Sequence, residues 1–405
     1  MPDILVVGGG FAGVWAAASA VRALREAGAP HHSVTLVTPG NDLVLRPRLY
    51  EADPHTMRVP LDRVLGPIGV GRVAATVTGI DTVGRRVTTA DTAGNELVLP
   101  YRRLILACGS RLVRPELPGA DLLFDVDDID SATALDTHLH GLPGEPVAPG
   151  RFTALVVGSG FTGLETATEL VGRLRVIAAP HGATAEVRVV LVERAPVLAP
   201  GLGPGPRPVI VEALERLGVE TRPATTLERV TPAGATLSDG AVLPTRTVVW
   251  TGGVVAAPLT ALVPGARDPI GRLEVDEFLR VPGAPGVYAA GDTAAARADP
   301  DHLVLPSCQY AIPLGKHAGH NAAASLTGRT PAPFRPAPHV TTLDLGEAGA
   351  VSTTGWERTV RLTGAEAKTL KRTLTAQWIR PPLDDADELL RQADPAFRTR
   401  RTTPA

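Results

Sequence analysis

The sequence predicts an α/β protein in which one strand–turn–helix unit is used twice. Gly8-Gly9-Gly10-Phe11-Ala12-Gly13 follows directly on the apolar run Ile4-Leu5-Val6-Val7. Gly158-Ser159-Gly160-Phe161-Thr162-Gly163 follows in the same way on Ala154-Leu155-Val156-Val157. Each hexapeptide opens a stretch rich in alanine and leucine. A short, wholly apolar run bounded by turn residues reads as a buried parallel strand. The first glycine of each set lets the chain turn sharply, the second lets backbone approach a pyrophosphate, and the third lets helix pack on strand. Unpaired N–H groups at the helix start then favour an anion. Two such units imply two Rossmann-like domains and two bound dinucleotides.

Bulk composition agrees with a large enzyme. The 405 residues are enough for two or three domains with sizeable cores. Hydrophobic residues make up 44% and charged residues 20%, which argues against extensive disorder. A net charge of −2 supplies no general attraction to nucleic acid or to an anionic membrane. Lys316, Lys368 and Lys371 are the only lysines; the other basic residues are arginine. Two cysteines, Cys108 and Cys308, make no disulfide framework and fit a reducing cytoplasm. Ile4 to Val21 is uncharged, but Met1-Pro2-Asp3 offers no basic leader, and the glycines fall where a nucleotide fold needs them.

The remaining elements follow in order. Val34-Thr35-Leu36-Val37 is a second strand, followed by the arginine-bearing Leu45 to Tyr50. Val73 to Leu99 alternates apolar and polar residues around glycines, as an antiparallel meander does. Leu104 to Ala107 is a strand ending in Cys108-Gly109-Ser110, and a helix is expected near Ser131 to Leu139. The Gly- and Pro-rich stretch from Gly141 to Gly150 marks a boundary. The second unit repeats the design with Val187 to Val192, a short meander, and Val248-Val249-Trp250 before Thr251-Gly252-Gly253. Gly286 to Asp292 returns the chain to the first domain, and a smaller region follows Pro331.

Over nearly its whole length this chain resembles the two-dinucleotide-binding-domain flavoproteins, and among them most the type II NADH dehydrogenases, or NADH:quinone oxidoreductases. The resemblance rests on Gly160 to Glu165 with Glu169, on Arg46 to Glu51, and on Gln309 and Ala311 after the Gly291-Asp292 strand. It implies an NAD domain inserted in a discontinuous FAD domain. The expected limits are 1–118 and 263–330 for the FAD domain, 119–262 for the NAD domain, and 331–405 for the C-terminal region. No cysteine precedes Cys108, which excludes the early redox pair of the disulfide reductases.

For FAD the resemblance implies Gly8, Gly10, Phe11, Ala12 and Gly13 at the pyrophosphate, and Ala107 and Gly109 at the end of a neighbouring strand. Gly291 and Asp292 belong at the ribityl chain or phosphate. Gln309, Tyr310 and Ala311 start the helix that faces the flavin. Thr38 stands where the family usually has an acid, so the FAD ribose meets a hydroxyl, with Asn41 or Asp42 close by. Arg46 and Arg48 are placed to meet the pyrophosphate or flavin. For NADH the expected residues are Gly158, Gly160, Phe161, Thr162, Gly163 and Gly252. Glu193 follows the second strand, where a carboxylate accepts from ribose hydroxyls and repels a 2′-phosphate; Arg194 beside it leaves NADPH usable.

Glu165 is the sharpest catalytic candidate, because the family keeps a glutamate there facing nicotinamide and flavin. A first-turn acid also stabilises its helix dipole. Gln309 is the second candidate, from the quinone-site pattern Ala-Gln-x-Ala-x-Gln. Cys308 replaces the first alanine of that pattern and Pro313 the final glutamine, which puts quinone in question. Cys308 reads as a small filler, His317 and His320 as an ordinary helix face, and no metal site is expected. Gly364 to Trp378 is a predicted helix with Ala367, Leu370, Leu374 and Trp378 on one stripe, and Lys368, Lys371 and Arg372 beside it. Asp384, Asp385, Asp387 and Glu388 follow, which disfavours an anionic bilayer and points to a cytoplasmic protein without the family's anchor.

Three function classes stay open. One is an NADH-oxidising FAD enzyme reducing a quinone, oxygen or another small molecule. The second is a pathway-specific flavin oxidase or dehydrogenase, acting for instance on an amine. The third is a non-enzymatic flavoprotein that binds NADH to signal or to recruit a partner, with slow turnover. No nucleic-acid partner is expected, and homodimerisation is open.

Overall fold

The computed structural model describes residues 2–398. Its first sheet has five parallel strands in the order Val287–Ala289, Arg103–Leu106, Ile4–Val7, Val34–Val37 and Gly71–Val73. The second has four parallel strands in the order Glu220–Arg222, Arg188–Val192, Thr153–Val157 and Thr247–Trp250. Both central strands are buried on both faces; Ile4, Leu5 and Val6 expose 0% of their surface, as do Ala154, Leu155 and Val156. That burial explains their lack of polar alternation. Order is not sequential: Arg103–Leu106 lies beside Ile4–Val7, and Val287–Ala289 joins on its far side. The chain therefore reverses beside the first glycine loop, where α/β sheets leave a crevice.

Each glycine hexapeptide leads into a long helix, Phe11–Glu26 and Phe161–Ala178. The third glycine of each set is fixed by contact. A Cβ on Gly13 would stand 1.8 Å from the Gly8 carbonyl oxygen, and one on Gly163 would stand 1.8 Å from that of Gly158. The helix Cys308–Thr327 crosses Phe11–Glu26 at similarly short range. Cβ atoms on Gly315 and Gly319 would lie 2.2 and 2.0 Å from the carbonyl oxygens of Ala12 and Ala16. Small residues thus let two backbones touch, which seats the later helix against the first loop.

An antiparallel meander of Thr76–Asp81, Arg86–Ala90 and Glu96–Pro100 sits where alternation indicated one. A second, Leu227–Thr231, Gly234–Leu237 and Val242–Pro244, belongs to the second unit. Ser110–Leu112 pairs with Val254–Ala256 where the chain leaves and re-enters the first unit. The last region is an antiparallel sheet of Val340–Asp344, Ala350–Thr354 and Thr359–Thr363, capped by a helix. That helix is α only over Gly364–Thr373 and widens into a π turn over Leu374–Trp378. The uncharged N-terminal stretch resolves into strand and helix. Among the described residues no helix is long and apolar enough to cross a membrane.

Candidate active site

Both glycine loops open into one cavity of about 1920 Å³. That exceeds the roughly 300–1,000 Å³ of a single-ligand pocket. Gly9, Gly10, Phe11 and Ala12 line it from the first loop, and Gly160, Phe161 and Thr162 from the second. A Cβ on Gly10 or Gly160 would meet nothing within 4 Å, in contrast to the packed third glycines. The middle glycine therefore borders space that the protein leaves free. Gly8 and Gly158 hold the turns at φ +113° and +104°. Thr38 lies beside Gly9, its side chain 2.9 Å from where a Cβ would sit. Ala107 and Gly109 are on the wall, and the backbone N–H of Gly109 donates to Thr293 Oγ1 at 3.1 Å.

Gly291 and Asp292 line the same cavity. Ser110 Oγ donates to Asp292 Oδ2 at 2.7 Å and accepts from Arg46 Nη1 at 2.9 Å. Arg46 also pairs with Asp127, and its Nη1 lies 3.7 Å from Asp292. Arg46 thus reaches the cavity already neutralised on one side by carboxylates. Arg48 does not share its role. It pairs with Glu51 at 2.6 Å and is absent from the cavity wall, because the 3₁₀ turn Arg46–Arg48 points the two guanidiniums apart.

Glu193 is 6% exposed and lies under the second loop rather than on the cavity wall. Its Oε2 accepts from Ser159 N at 2.9 Å and Ser159 Oγ at 2.7 Å, and its Oε1 accepts from Ala195 N at 2.8 Å. Burial would raise this carboxyl, but the hydrogen bonds outweigh it and hold the group below its ordinary range. A carboxylate has about four acceptor positions, so three such bonds leave room for a ribose hydroxyl. Gly252 is set against the Trp250 ring, while Thr251 and Gly253 take the wall beside it.

Glu165 is 4% exposed, borders the cavity and holds a buried ion pair. Lys371 Nζ donates to Glu165 Oε1 at 2.7 Å, and Asp344 N donates to the same oxygen at 3.0 Å. Burial pushes the Glu165 carboxyl up to about 7, against the pull of Lys371 and the Asp344 amide. Burial alone would lower Lys371, but the charge and hydrogen bond of Glu165 leave it raised. Asp344 also pairs with Lys368, and Tyr50 donates to it at 3.2 Å. Lys368 and Lys371 therefore turn inward to two carboxylates. The helix thus packs its basic flank onto its own domain, where two buried carboxylates hold both lysines. Leu370, Leu374 and Trp378 of its apolar stripe line the cavity. Glu169, one turn on, is pushed up by burial.

The helix start also borders the cavity. Cys308, Gln309, Tyr310 and Ala311 line it, with Gln309 Nε2 3.5 Å from Pro338 O. Tyr310 is 2% exposed, its hydroxyl 3.0 Å from His339 Nδ1. Burial pushes the Cys308 thiol up to about 11, so it stays protonated, as a filler does. His317 Nδ1 is 2.8 Å from Pro313 O, and no metal-holding group occurs among the described residues. Sequence reading gave Lys371 and Tyr50 no role at the site and missed Asp344 and Asp127. The rarity of lysine in this chain was the one signal available for Lys371.

Residues 2–320 match the pyridine nucleotide-disulphide oxidoreductase family. The chain belongs to that family. It is an oxidoreductase, with both cysteines free. An NADH dehydrogenase-like protein of Mycobacterium tuberculosis is 47% identical over 99% of this chain and 100% of its own length. A type II NADH:quinone oxidoreductase of Staphylococcus haemolyticus is 26% identical, over 85% and 87% of the two chains. The NDH2 of Plasmodium falciparum, solved with NADH, shares the fold at TM-score 0.78. It is 15% identical and covers 94% of this chain and 95% of its own.

Proposed function

We propose that this protein binds FAD at the first loop and NADH at the second, and passes electrons from NADH to a quinone-like or other small acceptor. The observation that carries it is the meeting of two dinucleotide loops in one cavity, each with an open middle glycine. The near-full-length likeness to an NADH dehydrogenase-like relative supports the direction of transfer. FAD, when bound, supplies the redox chemistry of both half-reactions.

The chain's own residues position and protect. Gly10 would leave room for the FAD pyrophosphate and the N–H groups that follow would donate to it, while Asp292, steadied by Ser110, would accept from a hydroxyl of the ribityl chain. Gly160 and Phe161 do the same for NADH, and Glu193 fixes that loop through Ser159 while favouring a free 2′-hydroxyl. Arg194 is exposed beside it and leaves NADPH usable. Glu165 and Lys371 hold a shared proton at the cavity wall, where it serves an acceptor taking up electrons. Gln309 offers an amide to an acceptor carbonyl.

Anaerobic rapid mixing tests the reading. NADH should bleach the yellow protein and a soluble quinone should restore it. A flavin untouched by NADH overturns it in favour of a substrate-specific flavin oxidase, and bleaching without reoxidation favours a sensor.

We also read the enzyme as cytoplasmic. Lys368 and Lys371 are spent on internal pairs, and Asp384 and Glu388 face outward, paired with Arg63 and Arg391. Little net positive charge is left on this end to attract anionic lipid. Recovery mainly in the liposome pellet at physiological salt would reverse that reading.

A further inference from the structure

Of the three lysines, Lys368 and Lys371 each meet a carboxylate. Lys316 does not. It stands on the helix Cys308–Thr327, is 6% exposed, and lines the cavity together with Phe397 and Arg398. Among the described residues its contacts are two ring faces, Trp15 at 4.7 Å and Phe397 at 5.2 Å, with no hydrogen bond or ion pair. The neighbouring Arg398 repels it, and the neighbouring Asp394 is already paired with Arg22 at 2.6 Å. Burial lowers Lys316 to about 8, which still leaves most of the group charged at neutral pH. The Trp15 indole N–H is itself buried without an acceptor.

Cation–π contact offsets part of the cost of burying an ammonium, but a nearly buried charge without a counter-ion remains expensive. Lys316, Trp15 and Arg398 are all donors. Arg398 spends two of its own on Pro395 O at 2.6 Å and Arg335 O at 3.3 Å, and among the described residues no carboxylate pairs with Lys316 or Arg398, although Asp394 attracts Lys316 without touching it. Ile312, Pro336, Trp378 and Ile379 give the same cavity an apolar lining. The missing partner therefore has one acidic group and an apolar body.

We propose that Lys316, flanked on the cavity wall by Phe397 and Arg398 and backed by the buried Trp15 ring, is a binding subsite for the carboxylate of a small apolar organic anion. A planar, quinone-like acceptor bearing a carboxylate is the class of ligand it would select. That acceptor role rests on the function proposed above; the binding itself does not.

Calorimetric titration of the flavin-loaded protein, without NADH, separates the two. Naphthoate is the probe and naphthylmethanol its neutral control. Wild-type protein should bind naphthoate at least about tenfold more tightly, the scale of one hydrogen bond to a charged group. Lys316→Met should remove the preference, and Lys316→Arg should restore part of it. Lys316→Met should also melt no lower than wild type, because it deletes an unpaired buried charge, and should keep its flavin. Equal binding of both probes to wild type overturns the proposal, as does a preference that survives Lys316→Met. Flavin loss in Lys316→Met also overturns it, since the lysine would then serve FAD. If NADH fails to bleach the flavin while the lysine-dependent preference persists, the subsite stands and the oxidoreductase reading falls.

Discussion

Gly10→Val should give a folded protein without flavin. Gly10 has φ −79° and ψ −173°, extended backbone open to any residue, and an added Cβ meets nothing within 4 Å. Folding should therefore cost nothing, and restricting the unfolded chain stabilises by about 0.4–1 kcal/mol. The valine occupies the space where the pyrophosphate must approach the helix start. Losing two backbone hydrogen bonds to the phosphates, at about 1.5–3 kcal/mol each, raises the Kd for FAD by about two to four powers of ten. Gly13→Ala provides the contrast, since its Cβ would lie 1.8 Å from the Gly8 carbonyl oxygen and the loop itself must shift. The assay is flavin absorbance relative to protein, alongside a thermal melt. Gly160→Val should stay yellow yet resist reduction by NADH, because its Cβ is equally free of protein contacts. A yellow Gly10→Val protein with full flavin content refutes the assignment. A Gly10→Val protein that melts as low as Gly13→Ala refutes the claim that the space belongs to a ligand.

Three further outcomes are expected. Glu193→Ala should weaken NADH binding by about 1–3 kcal/mol and narrow the gap to NADPH, because the carboxylate holds Ser159 and, under the proposed reading, would accept from the ribose; unchanged steady-state constants for both nucleotides would count against it. Lys371→Met should cost about 3–5 kcal/mol once Glu165 is charged. Glu165 titrates near 7 in the folded protein against an ordinary 4.5, so the folded state holds the extra proton between them and stability falls as pH rises through that window. Without Lys371 the folded value goes higher and the fall continues to higher pH; parallel curves of denaturant midpoint against pH for wild type and variant would sink this. Cys308 should resist iodoacetamide at neutral pH, its thiol being held near 11 by burial, and stoichiometric labelling in the native state would show otherwise.

Much of the fold is legible in the sequence because its signals are local. An apolar run, a glycine triplet and a helix start lie within about a dozen residues of one another, and each glycine answers a backbone constraint inside its own unit. Alternation likewise marks the meander after Val73, since a sheet with one solvated face imposes a period of two. The candidate residues in these units come with them, and Gly9 to Ala12, Gly160 to Thr162 and Glu165 lie on the cavity wall.

What the sequence by itself determined, then, is the pair of nucleotide units and the residues at their turns. Tertiary structure alone decided which distant charges meet. Lys371 reaches Glu165 across 206 positions and Tyr50 reaches Asp344 across 294. In sequence, Lys368 and Lys371 look like the polar flank of an amphipathic helix, and only packing turns that flank inward. Arg46 and Arg48 stand two positions apart and look alike, yet one enters the cavity and the other closes on Glu51. Burial raises the energy of an unpaired charge far above its cost in water, so partners are chosen by the packed interior and not by neighbours along the chain.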